Sequence, residues 1–481
     1  MTIDIDIVVH NARVFGLHAR HEINTDKIVI DSNVGKVTVQ LLHNSSSFPL
    51  ANISLLPCEH FIATAGKGQF WAELRSFSRA NEIVGAELIP VVTDASGLAV
   101  WAFMPNADGG RLLIGTNLAS DLTVLRQGDP AAAANRPTEP QWGIAGERPT
   151  YLFEGQLDTD KPHDRMADWW MWTMRDALIR HAGVKADDIL PFGAKGVVIV
   201  TGDDDQAPLE DYRAQEKLLG GLPVTYFLHP LTNHTRQTIA EHSMGRSVEW
   251  EIHPDALETP RDYDARFDEQ AAWFEGLKGQ PPRLVRNHGF LNDGYWGHAK
   301  AWKKHGITGS SNLPGLDCRV LNGSLLPARL ALDGQLTDHW SILTAFGDGV
   351  MFALEWDEKT VAKAIEDAGK RIIESGVPGI LVFNLHPANH EKAACMHAAV
   401  RKLVENGFAA MTFGAALEWF KARDAGHVAT VNVGMLGPFT LPKVKTVSAP
   451  VQDESPPALP LKMGTRLRNV ARWIIGTGAH N

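Results

Sequence analysis

The stretch GVVIVTGDDDQ, residues 196–206, is a run of mostly β-branched apolar residues that stops at three consecutive aspartates. Apolar runs bounded by turn residues are typical of strands that are buried on both faces of a parallel sheet. Three later runs have the same form, and each ends in a polar residue: PVTYFLH (223–229), RLVRN (283–287) and GILVFNLH (379–386). Because the carboxyl ends of parallel strands meet at one edge of a sheet, we expect these polar residues to lie close together.

Helical patterns alternate with these runs. They are YDARFDEQAAWFEGL (263–277), GHAKAWKKHG (297–306), EKTVAKAIEDAGKRIIESG (358–376) and EKAACMHAAVRKLVENG (391–407). The alternation of buried strands with helices predicts an α/β unit built on a parallel sheet, which is either open or closed into a barrel. We place this unit at residues 191–425.

The residues before this unit are rich in short β-like runs, such as KIVID (27–31), KVTVQLL (36–42) and GRLLIGTNL (110–118). A tryptophan-rich helical stretch follows at 166–183, and its large aromatic residues favour a packed interface between the two zones. We therefore expect residues 1–190 to form an accessory domain, either β-rich or a small α/β unit.

Residues 426–481 hold a proline-rich linker and then a basic amphipathic stretch, LKMGTRLRNVARWIIG (461–476). Such a stretch can lie on an anionic membrane surface, or it can dock its apolar side onto this protein or a partner. Peripheral membrane contact through the tail is therefore one of two expectations for this segment.

Composition restricts the class of protein. The chain has 481 residues, a formal net charge of −10 and a sequence pI of about 6.0, so no basic field is available to pair with the phosphates of a nucleic acid. Its three cysteines form no CxxC pair, so neither a disulfide framework nor a thiolate zinc site is predicted. The sequence begins without a basic secretion signal and contains no run of roughly 20 apolar residues, so we expect a cytoplasmic protein.

The aspartate triplet 203–205 is the first of three features that carry chemistry. Adjacent carboxylates repel one another, so the triplet is either a solvated acidic turn or a place where one Asp binds a metal and another acts as a general base. His253 precedes Pro254, which favours an extended backbone, and imidazole with carboxylate is a common zinc ligand set. His386 also precedes a proline and can donate a proton to a leaving amine.

Five segments, in order, resemble the motifs of polysaccharide deacetylases (the NodB-homology family, carbohydrate esterase family 4). TGDDDQ (201–206) resembles the TFDDG-type first motif, and PVTYFLH resembles the second strand, usually written ATFF. EWEIHP (249–254) resembles the HxxxHP motif, RNHGF (286–290) the arginine-bearing motif, and ILVFNLHP (380–387) the final motif ending in LxH. The resemblance spans roughly residues 195–420 and implies a distorted (β/α) barrel deacetylase domain that follows the accessory domain.

The resemblance also implies a role for each matching residue. Asp203 would be the general base, Arg286 would pair with and orient it, and His386 would be the general acid. Asp204 and His253 would bind a divalent metal, for which zinc is the first expectation.

Three features of this chain depart from the family pattern. The arginine-bearing motif lacks its usual proline, and His288 lies near where that proline should be. The family has a second metal-binding histidine four residues before the first, and this chain has Glu249 there, which we expect as the third ligand. The alternatives for that ligand are Glu251, Asp255 and His229. The acid that supports the catalytic histidine has no clear match, and its candidates are Asp317 and the triplet Asp338–Trp340.

The function expected from this resemblance is a metal-dependent hydrolase that removes an N-acetyl or related acyl group from a sugar or glycan intermediate. Two alternatives stand beside it. One is a non-catalytic carbohydrate-binding or scaffold protein with a degenerate metal site, and the other is an amidase acting on another non-peptide C–N bond. The sequence leaves the oligomeric state open.

Overall fold

The computed structural model describes residues 2–426 except 23–24, 26, 33–34, 43–54, 57–59, 66–69, 77–79, 95, 108, 138–144, 154–164 and 316–322. The predicted tail, Cys58, Cys318 and the candidate Asp317 lie outside the described residues. Within the described residues, no helix is both long and apolar enough to cross a bilayer.

An eight-stranded sheet occupies the first part of the chain, in the order β1-β2-β3-β10-β9-β8-β5-β6, and β4 and β7 form a separate pair. Neighbouring strands of the large sheet are antiparallel except β3 and β10, which are parallel. The strands are β1 (Ala19–His21), β2 (Lys27–Ser32), β3 (Gly35–Leu41), β4 (Leu55–Leu56), β5 (His60–Ala65), β6 (Phe70–Arg75), β7 (Ala80–Asn81), β8 (Ile89–Asp94), β9 (Ala99–Met104) and β10 (Arg111–Ile114).

Three helices accompany this sheet: α1 (Thr2–Val14), α2 (Leu118–Gln127) and α3 (Met166–Ala182). The helix α3 is the tryptophan-rich stretch, and it ends at Gly183, whose left-handed backbone (φ 62°) closes the last turn.

A ten-stranded sheet follows, in the order β16-β17-β15-β14-β13-β12-β11-β19-β18, with β20 paired to β11. All its pairings are parallel except that of β16 with β17. The strands are β11 (Gly196–Asp203), β12 (Val224–Leu228), β13 (Val248–Ile252), β14 (Leu284–Val285), β15 (Gly309–Pro314), β16 (Ala328–Leu332), β17 (Gln335–Thr344), β18 (Phe346–Gly347), β19 (Gly379–Asn384) and β20 (Ala409–Met411).

Eight further helices alternate with these strands: α4 (Leu209–Leu219), α5 (Arg236–Ser243), α6 (Tyr263–Lys278), α7 (Ala299–Lys304), α8 (Asp348–Ala353), α9 (Glu358–Ser375), α10 (Ala394–Glu405) and α11 (Phe413–Asp424). Short 3₁₀ helices lie at Pro130–Ala134, Pro149–Phe153, Pro191–Gly193, Pro260–Asp262, His288–Phe290 and Pro387–Asn389. The prediction of a mixed α/β fold is therefore confirmed.

The strand β11 is buried at every residue, as its unbroken apolar run predicts. Val197 and Ile199 face one hydrophobic cluster, whereas Val198 and Val200 face another, so the strand has a core on each side. The path of the sheet ends at β16 and β18, and no pairing among the described strands joins these ends. Closure of the sheet into a barrel stays a prediction.

One hydrophobic cluster joins the two parts of the chain. It contains Trp101 of β9 and Trp170 of α3, whose rings lie 4.9 Å apart, together with Val197 and Ile199 of β11. Since the first sheet, α3 and one face of the second sheet share this cluster, α3 packs between the two zones. The boundary at residue 190 remains a prediction.

Candidate active site

Polar side chains converge at the carboxyl ends of β11, β13, β14 and β19. They line a cavity of about 20 Å³, which has room for about one water molecule. The lining residues with chemistry to offer are Asp203, Asp205, His253, His288, Asn384 and His386. The sequence-predicted edge of the sheet is therefore where these side chains meet.

Asp203 is the last residue of β11 and is held on both carboxylate oxygens. Arg286 donates to Oδ1 at 2.9 Å, and the Asn384 amide donates to Oδ2 at 2.7 Å. Burial alone would raise the pKa of Asp203, but the charges of Arg286, His253 and His386 outweigh it and lower that pKa. The structure thus brings together the predicted base and the arginine that was expected to orient it.

Arg286 is fully buried beyond the end of β14 and is fixed by several acceptors. Besides Asp203 it donates to the Thr201 hydroxyl at 2.8 Å and to the Ser311 carbonyl at 3.1 Å, and its guanidinium lies over the ring of Phe227. Because these contacts leave the guanidinium little freedom, it holds the Asp203 carboxylate in one orientation.

His253 follows β13, and its ring has a defined tautomer. Nδ1 lies 2.7 Å from the carbonyl oxygen of Arg286, which can only accept, so Nδ1 carries the proton. The bare Nε2 faces Asp205 Oδ1 at 3.3 Å. Both of these atoms are buried, and neither makes a hydrogen bond within the described structure.

His288 opens the 3₁₀ turn after β14 and completes the group. Its Nε2 lies 3.8 Å from Asp205 Oδ1, and its Nδ1 lies 3.2 Å from Asp255 Oδ1. Although burial lowers the pKa of His288, the carboxylates of Asp205 and Asp255 raise it above its usual value. The surroundings of His288 therefore favour positive charge.

His386 follows β19 and forms a dyad with Asp348 at the start of α8. Its Nδ1 lies 2.5 Å from Asp348 Oδ1, and its backbone N–H donates to Oδ2 at 2.8 Å. Its Nε2 faces Asp205 at 3.4 Å and Asp203 at 3.8 Å. Burial lowers the pKa of His386, but Asp348 and then the other two aspartates raise it to about 10.

The triad Asp205, His253 and His288 fits a divalent cation. Their candidate ligand atoms lie within 4.8 Å of one another. A carboxylate with two imidazoles is a donor set that zinc prefers, and the two orphaned buried atoms, Asp205 Oδ1 and His253 Nε2, gain a partner if a cation lies between them. Each histidine also uses its other nitrogen to contact an acceptor, as metal-binding histidines do.

Two residues predicted as metal ligands lie elsewhere. The Asp204 carboxylate accepts from the Tyr212 hydroxyl and from the backbone N–H of His229, and burial raises its pKa. Glu249 lies near the opposite end of β13, where it accepts from Thr225 and from the backbone N–H of Gly414. Neither predicted ligand lines the cavity, and Asp205 and His288 lie beside His253 in their place.

The alternatives offered for the third ligand are also resolved by position. Glu251 accepts from the backbone N–H groups of Arg283 and Leu284, away from the cluster. Asp255 and His229 lie beside His288 and contact each other at 3.2 Å. They are neighbours of the triad and not members of it.

The acid beside His386 is Asp348, which the sequence analysis missed. The proposed Asp338 is an exposed partner of Arg329, and His339 contacts Ser310. The signal that could have found Asp348 is its position in FGDGV, an acid between glycines directly after an apolar strand end.

No family model matches the chain, and no curated protein matches it. Solved structures do match it. A proposed polysaccharide deacetylase of Mycobacterium smegmatis is 17% identical, with 53% of this chain and 97% of that chain covered and a TM-score of 0.32. Each of the matches reported in this subsection is described as a deacetylase.

The peptidoglycan deacetylase PdaC of Bacillus subtilis is 15% identical, with 48% of this chain and 95% of that chain covered and a TM-score of 0.31. The chitin deacetylase of the fungus Colletotrichum lindemuthianum is 15% identical, with 46% of this chain and 87% of that chain covered and a TM-score of 0.30. These similarities cover about half of this chain.

Proposed function

We propose that the chain is a metal-dependent hydrolase that cleaves an acyl group from nitrogen. One arrangement carries the proposal: a carboxylate (Asp203) and an imidazole (His386) line the same cavity as a candidate cation-binding triad. Amide hydrolysis needs an activated water, a polarised carbonyl and a proton for the leaving nitrogen, and this cavity offers a group for each requirement.

The residues that would hold the cation are Asp205, His253 and His288, with zinc as the first candidate. A divalent cation bound there would polarise the acyl carbonyl and acidify a water. The side chains of this chain supply the proton transfers.

Asp203 accepts the proton of the attacking water as the oxygen–carbon bond forms. Its pKa is lowered chiefly by Arg286 acting against burial, so the carboxylate is ionised and ready to accept at neutral pH. His386 donates its Nε2 proton to the nitrogen as the carbon–nitrogen bond breaks, and its raised pKa keeps that proton in place before the reaction. The products are a carboxylic acid and an amine.

The proposed substrate is an N-acetylated or related N-acylated sugar of a glycan, acted on by a deacetylase domain in the form of a distorted (β/α) barrel. The motifs in TGDDDQ, EWEIHP, RNHGF and ILVFNLHP support this substrate class. Asp203 and His386 line the cavity, and Arg286 donates to Asp203 at 2.9 Å, which supports the roles proposed for these residues.

Metal analysis of adjacent aspartate variants tests the proposal. The purified wild-type chain should contain about one divalent ion and should release acetate from an N-acetyl chito-oligosaccharide. Asp205→Ala should lose both the ion and the activity, whereas Asp204→Asn, its matched control, should keep the ion because Asp204 faces Tyr212. His386→Ala should keep the ion and lower kcat by ~10²–10⁴.

Two outcomes would contradict the proposal. A wild-type chain that binds the oligosaccharide but contains no metal and releases no acetate would favour a carbohydrate-binding protein. Loss of the ion in Asp204→Asn with retention in Asp205→Ala would reject the proposed ligand set.

A further inference from the structure

Beside the triad lies a second group, His229, Asp255 and His288, whose candidate ligand atoms also lie within 4.8 Å of one another. It shares His288 with the triad. The group is either a second cation site or a set of polar contacts that positions His288. The positions of the N–H protons on the His229 and His288 rings distinguish these two possibilities.

The one lone pair of a neutral His229 ring is already occupied, so none is free for a cation. The backbone N–H of Leu231 donates to its Nδ1 at 3.1 Å, so Nδ1 is the unprotonated nitrogen. The neutral ring then carries its proton on Nε2, which faces Asp255 Oδ2 at 3.2 Å. For a cation to bind Nε2, the neutral ring would have to lose its only N–H proton. His229 is only 2% exposed.

Asp255 therefore faces a ring nitrogen of both histidines. Its Oδ2 lies 3.2 Å from His229 Nε2. Its Oδ1 lies 3.2 Å from His288 Nδ1 and accepts a hydrogen bond from the backbone N–H of Leu257. Its own backbone is tied on both sides to Gln270 of α6, which accepts from its N–H at 2.8 Å and donates to its C=O at 2.7 Å. The two hydrogen bonds to Gln270 thus fix the backbone that carries the Asp255 carboxylate.

His288 needs such support because it lies on a turn. The next two residues, Gly289 and Phe290, have positive φ angles of 59° and 55°, so no regular element fixes the direction of the ring. An acceptor at Nδ1 places the proton there and leaves the Nε2 lone pair facing Asp205 and His253.

We propose that Asp255, fixed by His229, is a positioning residue that holds His288 in the tautomer and orientation that bind the metal of the hydrolase site. This inference rests on the proposed function, since it concerns the same metal site. It also explains how His288, which lies on a turn, can act as a metal ligand in this chain. The family that the sequence resembles has its second metal-binding histidine where this chain has Glu249.

The test is Co²⁺ binding to the metal-free full-length chain, measured by competition with a chelator and by the visible absorption of bound Co²⁺. Asp255→Ala and the nearly isosteric Asp255→Asn should each weaken affinity about 10–100-fold and change the absorption spectrum. His229→Leu should act in the same direction, and His229→Gln, which keeps a side-chain donor, should recover part of the loss. Asp264→Asn on the exposed side of α6 is the control and should bind like the wild type.

A double variant isolates the route of the effect. If Asp255 acts through His288, then Asp255→Ala should add no further loss of affinity in a His288→Ala background. An equal, additive loss in that background overturns the inference.

The remaining outcomes separate this inference from the proposed function. Unchanged Co²⁺ affinity in Asp255→Ala overturns the positioning role alone. Two Co²⁺ ions per chain, of which His229→Leu loses one, overturn it in favour of a second cation site. A wild-type chain that binds no Co²⁺ overturns both.

Discussion

The three adjacent aspartates have three different surroundings, and the pKa of one is shifted in the opposite direction from the other two. Asp203 and Asp205 have lowered pKa values because cationic neighbours outweigh burial, whereas burial raises the pKa of Asp204. Asp205 has a left-handed backbone, with φ 40°, which turns its carboxylate towards His253 and His288. One short segment thus supplies the proposed base, a proposed metal ligand and a carboxyl group that accepts from the backbone N–H of His229.

A change of the Asp348 charge should appear in the pH profile. Asp348→Asn removes the largest contribution that raises the pKa of His386, while burial, which lowers it, remains. Because His386 must be protonated to act as the acid, the alkaline limb of kcat/KM should move to lower pH by about 1–3 units. Initial rates measured between pH 6 and pH 11 check this expectation.

The free energy of unfolding of the wild type should depend on pH through the same residue, His386. A histidine whose pKa rises from 6.5 to about 10 on folding contributes stability that is complete below pH 6.5 and is lost as pH rises through about 10.

For the kinetic prediction, an alkaline limb of kcat/KM that stays in place in Asp348→Asn, with only kcat lowered at every pH, would contradict the assignment of His386 as the acid.

The sequence located Asp203, Arg286 and His386 because each directly follows or ends a recognisable apolar strand. His253 was located by the proline that follows it and by the resemblance of EWEIHP to a family motif. It could not assign Asp205, since which of three consecutive aspartates faces a cation depends on the φ angles after the strand. Nor could it pair Asp348 with His386, because a contact between residues that far apart in sequence depends on β18 and β19 being neighbours.

At the scale of elements, the site depends on the close approach of β11 to the loop after β19. A Cβ at Gly202 would lie 2.7 Å from the carbonyl oxygen of Leu385, and the next residue of each segment is a predicted proton-transfer group, Asp203 or His386. The glycine therefore sets the spacing between base and acid.

Gly202→Ala should push these segments apart. We expect a loss of about 1–3 kcal/mol in the free energy of unfolding, from overpacking against backbone, together with a lower kcat/KM. Denaturant unfolding and acetate release measure the two effects.

Gly276→Ala on α6 is the matched control, since no atom lies within 4 Å of its added Cβ. It should be neutral or stabilising by up to about 1 kcal/mol, because alanine is the better helix former. Equal losses of stability in the two variants would argue against the close approach at Gly202 as the cause.

The elements that could be predicted are those with unbroken apolar runs or helical periodicity. The apolar runs that begin at residues 196, 224 and 379 form the strands β11, β12 and β19. The helical patterns that begin at residues 263 and 358 form the helices α6 and α9. The strand β15, GSSNLP, could not be predicted because it is fully buried and yet polar. Its Ser311 carbonyl and Asn312 side chain accept from Arg286 and Asn287, so tertiary hydrogen bonds replace apolar burial there.

At the scale of the whole molecule, the two sheets are joined through one core. Trp170 is fully buried against Trp101 of the first sheet, in the cluster that also contains Val197 and Ile199 of β11. Removing its ring should therefore disturb both sheets.

Trp170→Ala should lower the free energy of unfolding by about 3–5 kcal/mol. Hydrogen exchange should show weaker protection for the amides of β9 and of β11 together. The half-buried Trp273 of α6 packs only on the second cluster, so Trp273→Ala should leave β9 protected. A loss of protection confined to the first sheet in Trp170→Ala would mean that the zones unfold independently.

Two side chains of helix α1 have polar partners in α11. Arg13 donates to the carbonyl of Asp424 at 2.8 Å, and His10 Nδ1 lies 3.1 Å from the Asp424 carboxylate. During translation at about 5–20 residues per second, the 411 residues between Arg13 and Asp424 take about 20–80 s to be made. For that interval α1 can already pack on β1 and α2, but its face towards α11 waits for the last helix of the described chain to be made.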